Sequence, residues 1–183
     1  MSECLGVVLA GGRSSRFGAD KFLHVVHGVE MGLRAIRILE PIVDRVVVVG
    51  RQEIPSSWGA ESLFGRREGS GPLGAILDAA DLDHPSRVVV VPCDMPNLTS
   101  SSMSRLLVAV DEPHVVASFA NSPDLEEAQW LASCWRGDVL RDVISQFYEE
   151  GCRSVRGVAR QVHHLLVDLP PDELANLNDP VTT

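Results

Sequence analysis

The 183-residue chain has no Cys-x-x-Cys pair, and its four cysteines, Cys4, Cys93, Cys134 and Cys152, form no Cys/His cluster at metal-ligand spacing. That excludes a zinc site and a disulfide framework, and scattered thiols suit a reducing compartment. The chain has no basic start followed by a long apolar segment, and no run near the ~18 apolar residues of a membrane span. We therefore expect a cytoplasmic protein with no membrane partner. Positive charge is not in excess either: the formal net charge is -9. A field of that sign repels polyphosphate backbones and anionic lipid, so nucleic acid is not an expected partner, although a local basic pocket remains open.

With 45% hydrophobic and 22% charged residues the chain has an ordinary globular balance, and its length suits one domain over 1–183. Valine-rich apolar runs at Leu5–Ala10, Asp44–Gly50 and Val88–Val91 predict strands buried on both faces. Between them, Met31, Ala35, Ile38 and Leu39 recur at helical spacing before Pro41. Residues 72–80 predict a short helix with Leu73, Ile76, Leu77 and Ala80 inward. A weak strand is expected at Ala60–Phe64. Further on, Thr99 or Ser100 caps a helix that buries Met103, Leu106, Leu107 and Val110. Strands are expected at "HVVASF", Leu131–Trp135 and "VHHLLVDL", with a helix burying Val139, Leu140, Val143, Ile144 and Phe147. Strands alternating with helices define an α/β class with a mostly parallel sheet, whose function belongs beyond the carboxyl ends of the strands.

The first strand ends in "AGGRSSRFGADK", which places Gly11, Gly12, Gly18, Arg13, Arg16 and Lys21 at such an end. Glycines allow close backbone approach and inward amides, while arginine forks and a lysine point charge suit phosphate. The competing reading is a glycine turn with solvated basic residues. Neither the Walker A spacing nor the GxGxxG fingerprint is present. A second strand end, "VVVPCDMP", carries Asp94, either a turn former or one of the one or two carboxylates with which magnesium is held beside substrate phosphates. Cys93 reads as a packing residue. Together the two ends suit a clamp on a metal-bound triphosphate.

Four segments, "LAGGRSSRFGADK", "GPLGAI" at 71–76, "VVVPCDMP" at 89–96 and "NLNDP" at 176–180, resemble in order the molybdenum cofactor guanylyltransferases within the wider nucleotidyltransferase family. The resemblance implies a Rossmann-like three-layer fold and transfer of GMP from GTP to the terminal phosphate of molybdopterin, with Mg2+ as cofactor. It assigns Leu9, Ala10, Gly11, Gly12 and Arg13 to the nucleotide loop, Arg16 and Lys21 to charge neutralisation, Gly71, Pro72 and Leu73 to the nucleoside, and Asp94 to magnesium. Asn176 and Asn178 fall on the acceptor side. GTP and molybdopterin are the implied partners, with a transient assembly protein of molybdenum cofactor biosynthesis or of a molybdoenzyme as a further one.

The chain departs from that pattern where the family carries an aspartate shortly before the GPL glycine: Gly65 stands there. Glu61 or Glu68 is the expected substitute, with Glu61 preferred because it follows the third strand. Base selectivity is thus less defined than phosphate transfer, and a cytidylyl or other nucleotidyl transfer, or a noncatalytic nucleotide-binding module, are the competing readings. Trp130 is either a stacking face for a flat heterocycle or a core residue. Arg66 and Arg67 read as a surface pair, and the histidines as solvated residues.

Overall fold

The computed structural model describes residues 3–10, 20–65, 67 and 71–177. The first strand, β1 (Cys4–Leu9), leads to a 3-10 turn at Lys21–Leu23, a small hairpin of β2 (Val25–Val26) and β3 (Val29–Glu30), and helix α1 (Met31–Leu39). Then come β4 (Arg45–Val49), β5 (Glu61–Leu63), α2 (Gly71–Ala80), β6 (Arg87–Pro92) and α3 (Ser100–Ala109). The C-terminal part holds β7 (Ala117–Asn121), β8 (Gln129–Arg136), α4 (Gly137–Val139), α5 (Ser145–Glu149), α6 (Val155–Ala159) and β9 (His164–Asp168).

Seven strands form one sheet in the order β5-β4-β1-β6-β8-β7-β9. Within it β8 runs antiparallel to both its neighbours, while the other pairings are parallel. The valine runs pair in register, Val7 lying beside both Val47 and Val90. Because side chains alternate across a strand, each run feeds two cores. Val8, Val48, Val89 and Val91 pack with Ala35, Ile36, Met103 and Leu106 of α1 and α3. On the other face Val7, Val47, Val49 and Val90 meet Leu73, Ile76 and Leu77 of α2, with Leu140 and Ile144 alongside. The result is the expected three-layer, mostly parallel Rossmann-like arrangement.

Departures from expectation have local causes. The hairpin β2–β3 is too short for a periodic signal; its turn holds His27 and Gly28 at φ 50 and 77, the left-handed pair that a two-residue hairpin requires. The strand expected at "HVVASF" begins only at Ala117, since Val115 is buried in the preceding loop. Between α4 and α5 the helix widens into a π turn at Leu140–Ile144, which rotates Val143 out to 40% exposure while Leu140 and Ile144 stay buried. Helix α6, unforeseen, is capped by Ser154 Oγ accepting from Gly157 N–H. No helix among the described residues is long and apolar enough to cross a membrane.

Candidate active site

The site begins with a sheet contact. β1 and β6 are adjacent, Leu9 pairs with Pro92, and Cys93 N–H donates to Leu9 C=O at 3.3 Å. Parallel neighbours end at the same edge, so the segments that follow them must emerge together. Lys21 arrives on the 3-10 turn and Asp94 follows β6; Lys21 Nζ lies 3.2 Å from Asp94 Oδ2. The ammonium side chain is 16% exposed and the carboxylate 31%, so the pair is sheltered without being sealed from solvent. Seventy-three residues separate them in sequence.

The edge is braced from three sides. Arg34 on α1 donates from Nε and Nη2 to Pro96 C=O at 3.1 and 2.9 Å and from Nη1 to Val26 C=O at 3.4 Å. It thereby joins the segment after β6 to the hairpin that follows Lys21. The C-terminal segment crosses the same edge: Leu177 N–H donates to Asp94 C=O at 2.8 Å, and Asn176 Nδ2 lies 3.4 Å from Gln129 Oε1 on β8. Glu173 accepts from Thr99 N–H and Oγ1–H at the start of α3, tethering that segment. Asp20, just before Lys21, is held by Arg51, which follows β4.

Other expected site residues divide clearly. Leu9 is buried at the end of β1 and Ala10 N–H donates to Val49 C=O at 3.0 Å. Gly71 and Pro72 open α2 with Gly71 at φ 75, a backbone turn suited to glycine, and Leu73 is buried beneath them. Gly11, Gly12, Arg13, Gly18, Arg16, Arg66, Glu68 and Asn178 lie outside the described residues.

Glu61 does not come to this edge. It pairs with Val47 two positions before the carboxyl end of β4, and its carboxylate lies 3.9 Å from Arg45 at the opposite end of that strand. Arg45 is also bound to Glu3 and Asp83, at that same end of the sheet. At Gly65 a β-carbon would overlap the carboxylate of Asp78, a buried residue of α2 that accepts from Arg67 N–H and its guanidinium. Arg67, read from sequence as half of a surface pair, is thus a latch between this loop and α2.

Trp130 is partly buried and packs edge-to-face on Phe119 at 5.1 Å, against the core of the α2 face. Its neighbour Gln129 meets Asn176. The indole also lies 6.1 Å from the ring of His164. Burial and, second, the charge of Asp94 push the Cys93 thiol up to about 12, so Cys93 stays protonated and unreactive beside the carboxylate.

Among the described residues no three His, Cys, Asp or Glu side chains converge on a metal position. Asp94 nevertheless suits a hard cation: its Oδ2 faces Lys21, and Oδ1 takes no hydrogen bond from the described residues. Such a donor fits an ion completed by phosphate oxygens. Sequence reasoning missed Arg34 and the Asp20–Arg51 contact. An arginine directly after a buried strand, as in "VVVVGR", was the available signal for the latter.

A lysine and a carboxylate brought together at the shared carboxyl edge of β1 and β6 on this sheet fit the nucleotidyltransferase class. A model of the MobA-like NTP transferase domain matches residues 6–166, and the chain belongs to that family. A molybdenum cofactor guanylyltransferase of Ralstonia nicotianae is 31% identical over 97% of this chain and 92% of its own. One from Methylibium petroleiphilum is 27% identical over 94% and 90%. Among solved structures, molybdopterin-guanine dinucleotide biosynthesis protein A of Archaeoglobus fulgidus superposes with a TM-score of 0.77 at 19% identity, covering 96% of this chain and 93% of that one, and so shares the fold.

Proposed function

We propose that the protein transfers a guanylyl group from GTP to the terminal phosphate of molybdopterin and releases pyrophosphate. The observation that carries this reading is the Lys21–Asp94 pair at the common edge of β1 and β6, with Leu177 of the C-terminal segment bound to Asp94 C=O. The names of the Ralstonia and Methylibium relatives support the base and the acceptor.

An arriving triphosphate competes with Asp94 for the Lys21 ammonium, a mobile point charge that meets phosphate oxygens without fixed geometry. The carboxylate released in that exchange is the group we assign to magnesium. Magnesium held there would supply Lewis-acid stabilisation of phosphate charge. The attacking oxygen belongs to the acceptor phosphate, already ionised at neutral pH, so the chain needs no nucleophile of its own. Its contribution is to orient the triphosphate and to offset charge on the leaving pyrophosphate. Arg16 is assigned the same charge-neutralising role by the family resemblance.

One observation favours a second reading, cytidylyl transfer to the same acceptor: position 65, where the resemblance expects an aspartate, is a glycine. The test is to incubate purified protein with magnesium, molybdopterin and each nucleoside triphosphate in turn. Pyrophosphate release with GTP is expected; release with CTP and none with GTP would replace guanylyl by cytidylyl transfer.

A further inference from the structure

We propose that Arg51 is a positioning residue, which holds Lys21 on the nucleotide side through a clamp on both of its neighbours; the inference rests on the reading of Lys21 as the triphosphate-facing cation. Asp20 caps the turn that carries Lys21, its Oδ1 accepting from Phe22 N–H at 3.1 Å. From the end of β4, Arg51 Nη1 reaches both oxygens of that carboxylate, at 2.9 and 2.7 Å. The same guanidinium lies 4.6 Å from the centre of the Phe22 ring. One side chain therefore grips the residue before Lys21 by charge and the residue after it by a cation–π contact.

Phe22 is itself fixed. It is 1% exposed, its ring stands 5.5 Å from that of Trp58, and a β-carbon on Gly32 of α1 would come within 2.5 Å of it. With its flanks immobilised, the lysine backbone is set before any ligand arrives, and only the four-carbon stem has to choose a direction. The clamp has an electrostatic consequence as well. An uncompensated Asp20 carboxylate beside Lys21 would repel the substrate phosphates, and Arg51 balances it. Nη1 is committed to Asp20, and through that carboxylate Arg51 acts on the turn that carries Lys21.

The sequence supplies a direct probe, since Lys21 is the only lysine of the chain. Acetylation by an N-hydroxysuccinimide ester, followed by peptide mass spectrometry, reads Lys21 against the α-amino group as internal reference. Arg51→Ala is expected to raise relative Lys21 labelling several-fold, and Arg51→Lys to restore most of the protection. In turnover assays Arg51→Ala should lower kcat about tenfold with a smaller change in KM for the nucleotide, as expected for a misplaced catalytic charge. On an Asp20→Asn background, Arg51→Ala should add less than about twofold, because the two residues act as one unit. Unchanged Lys21 labelling in Arg51→Ala, or a full further loss of kcat on the Asp20→Asn background, would overturn the clamp. The labelling readout needs no substrate: absence of transfer by the wild-type protein would defeat the proposed reaction, while labelling would still decide the role of Arg51.

Discussion

At Lys21 and Asp94 the proposed chemistry reduces to two opposite charges 3.2 Å apart, both partly open to solvent. Their mutual attraction contributes little to folding, so removing either should affect catalysis far more than stability. Lys21→Ala and Asp94→Ala are each expected to lower turnover about 10²–10³-fold, the range for loss of a charge-stabilising group, while circular dichroism shows an unfolding midpoint close to wild type. Unaltered turnover in both variants would remove the site from this edge. Cys93 gives a pH-dependent counterpart. Its thiol is raised from 9.0 to about 12 by burial and by Asp94, so the folded protein keeps a proton that the unfolded chain releases. Its contribution is complete below pH 9.0 and is lost as pH rises toward about 12. Urea midpoints measured from pH 8 to 11 should fall above pH 9.0, where the thiols of Cys4 and Cys134, also raised by burial, add to the decline, and Cys93→Ala should make it shallower.

Elements decide which of these residues meet. The loop between β5 and α2 shows how a helix can dictate a neighbouring loop: Asp78 is buried on α2, binds Arg67, and occupies the volume next to Gly65. Gly65→Ala would push a methyl group into that carboxylate and its arginine partner. A loss of about 1–3 kcal/mol, typical of overpacking, is expected in urea unfolding; a neutral result would mean that the loop can retreat without cost. The pattern of helix and strand was readable because the valine runs and the 3.6-residue repeats are strong, and Thr99 caps α3 through Oγ1 accepting from Ser102 N–H. The π turn at Leu140–Ile144 was not, since periodicity assumes a regular helix and a single widened turn carries Val143 to the outside.

Across the whole molecule, the C-terminal segment is what closes the edge. It leaves β9, buries Leu169 and Leu174 in the core of the α1 and α3 face, and reaches Asp94 through Leu177. Leu174 is 1% exposed, so Leu174→Ala should cost about 2–5 kcal/mol as a cavity in that core. If the segment also sets the Asp94 side of the site, turnover at a temperature where the variant remains folded should fall too; stability lost with full turnover would confine Leu174 to packing. The net charge of -9 makes this local arrangement more important, because the long-range field does not draw in an anionic substrate.

The sequence by itself determined the layered α/β class, the strand ends at which sheets of this kind take their ligands, and the chemical types at two of them, Lys21 and Asp94. Those properties follow from local patterns: apolar runs, helical spacing, glycine and capping residues. Only the tertiary structure decided which charges face each other. Parallel pairing of β1 with β6 brought Lys21 to Asp94. The neighbouring β4 brought Arg51 to Asp20, and the pairing of β5 with β4 set Glu61 opposite Val47, away from the carboxyl edge where a substitute for the family aspartate was expected. Charge pairing acts over a few ångströms of space and is indifferent to separation along the chain, so strand order, which no local pattern records, had to settle it.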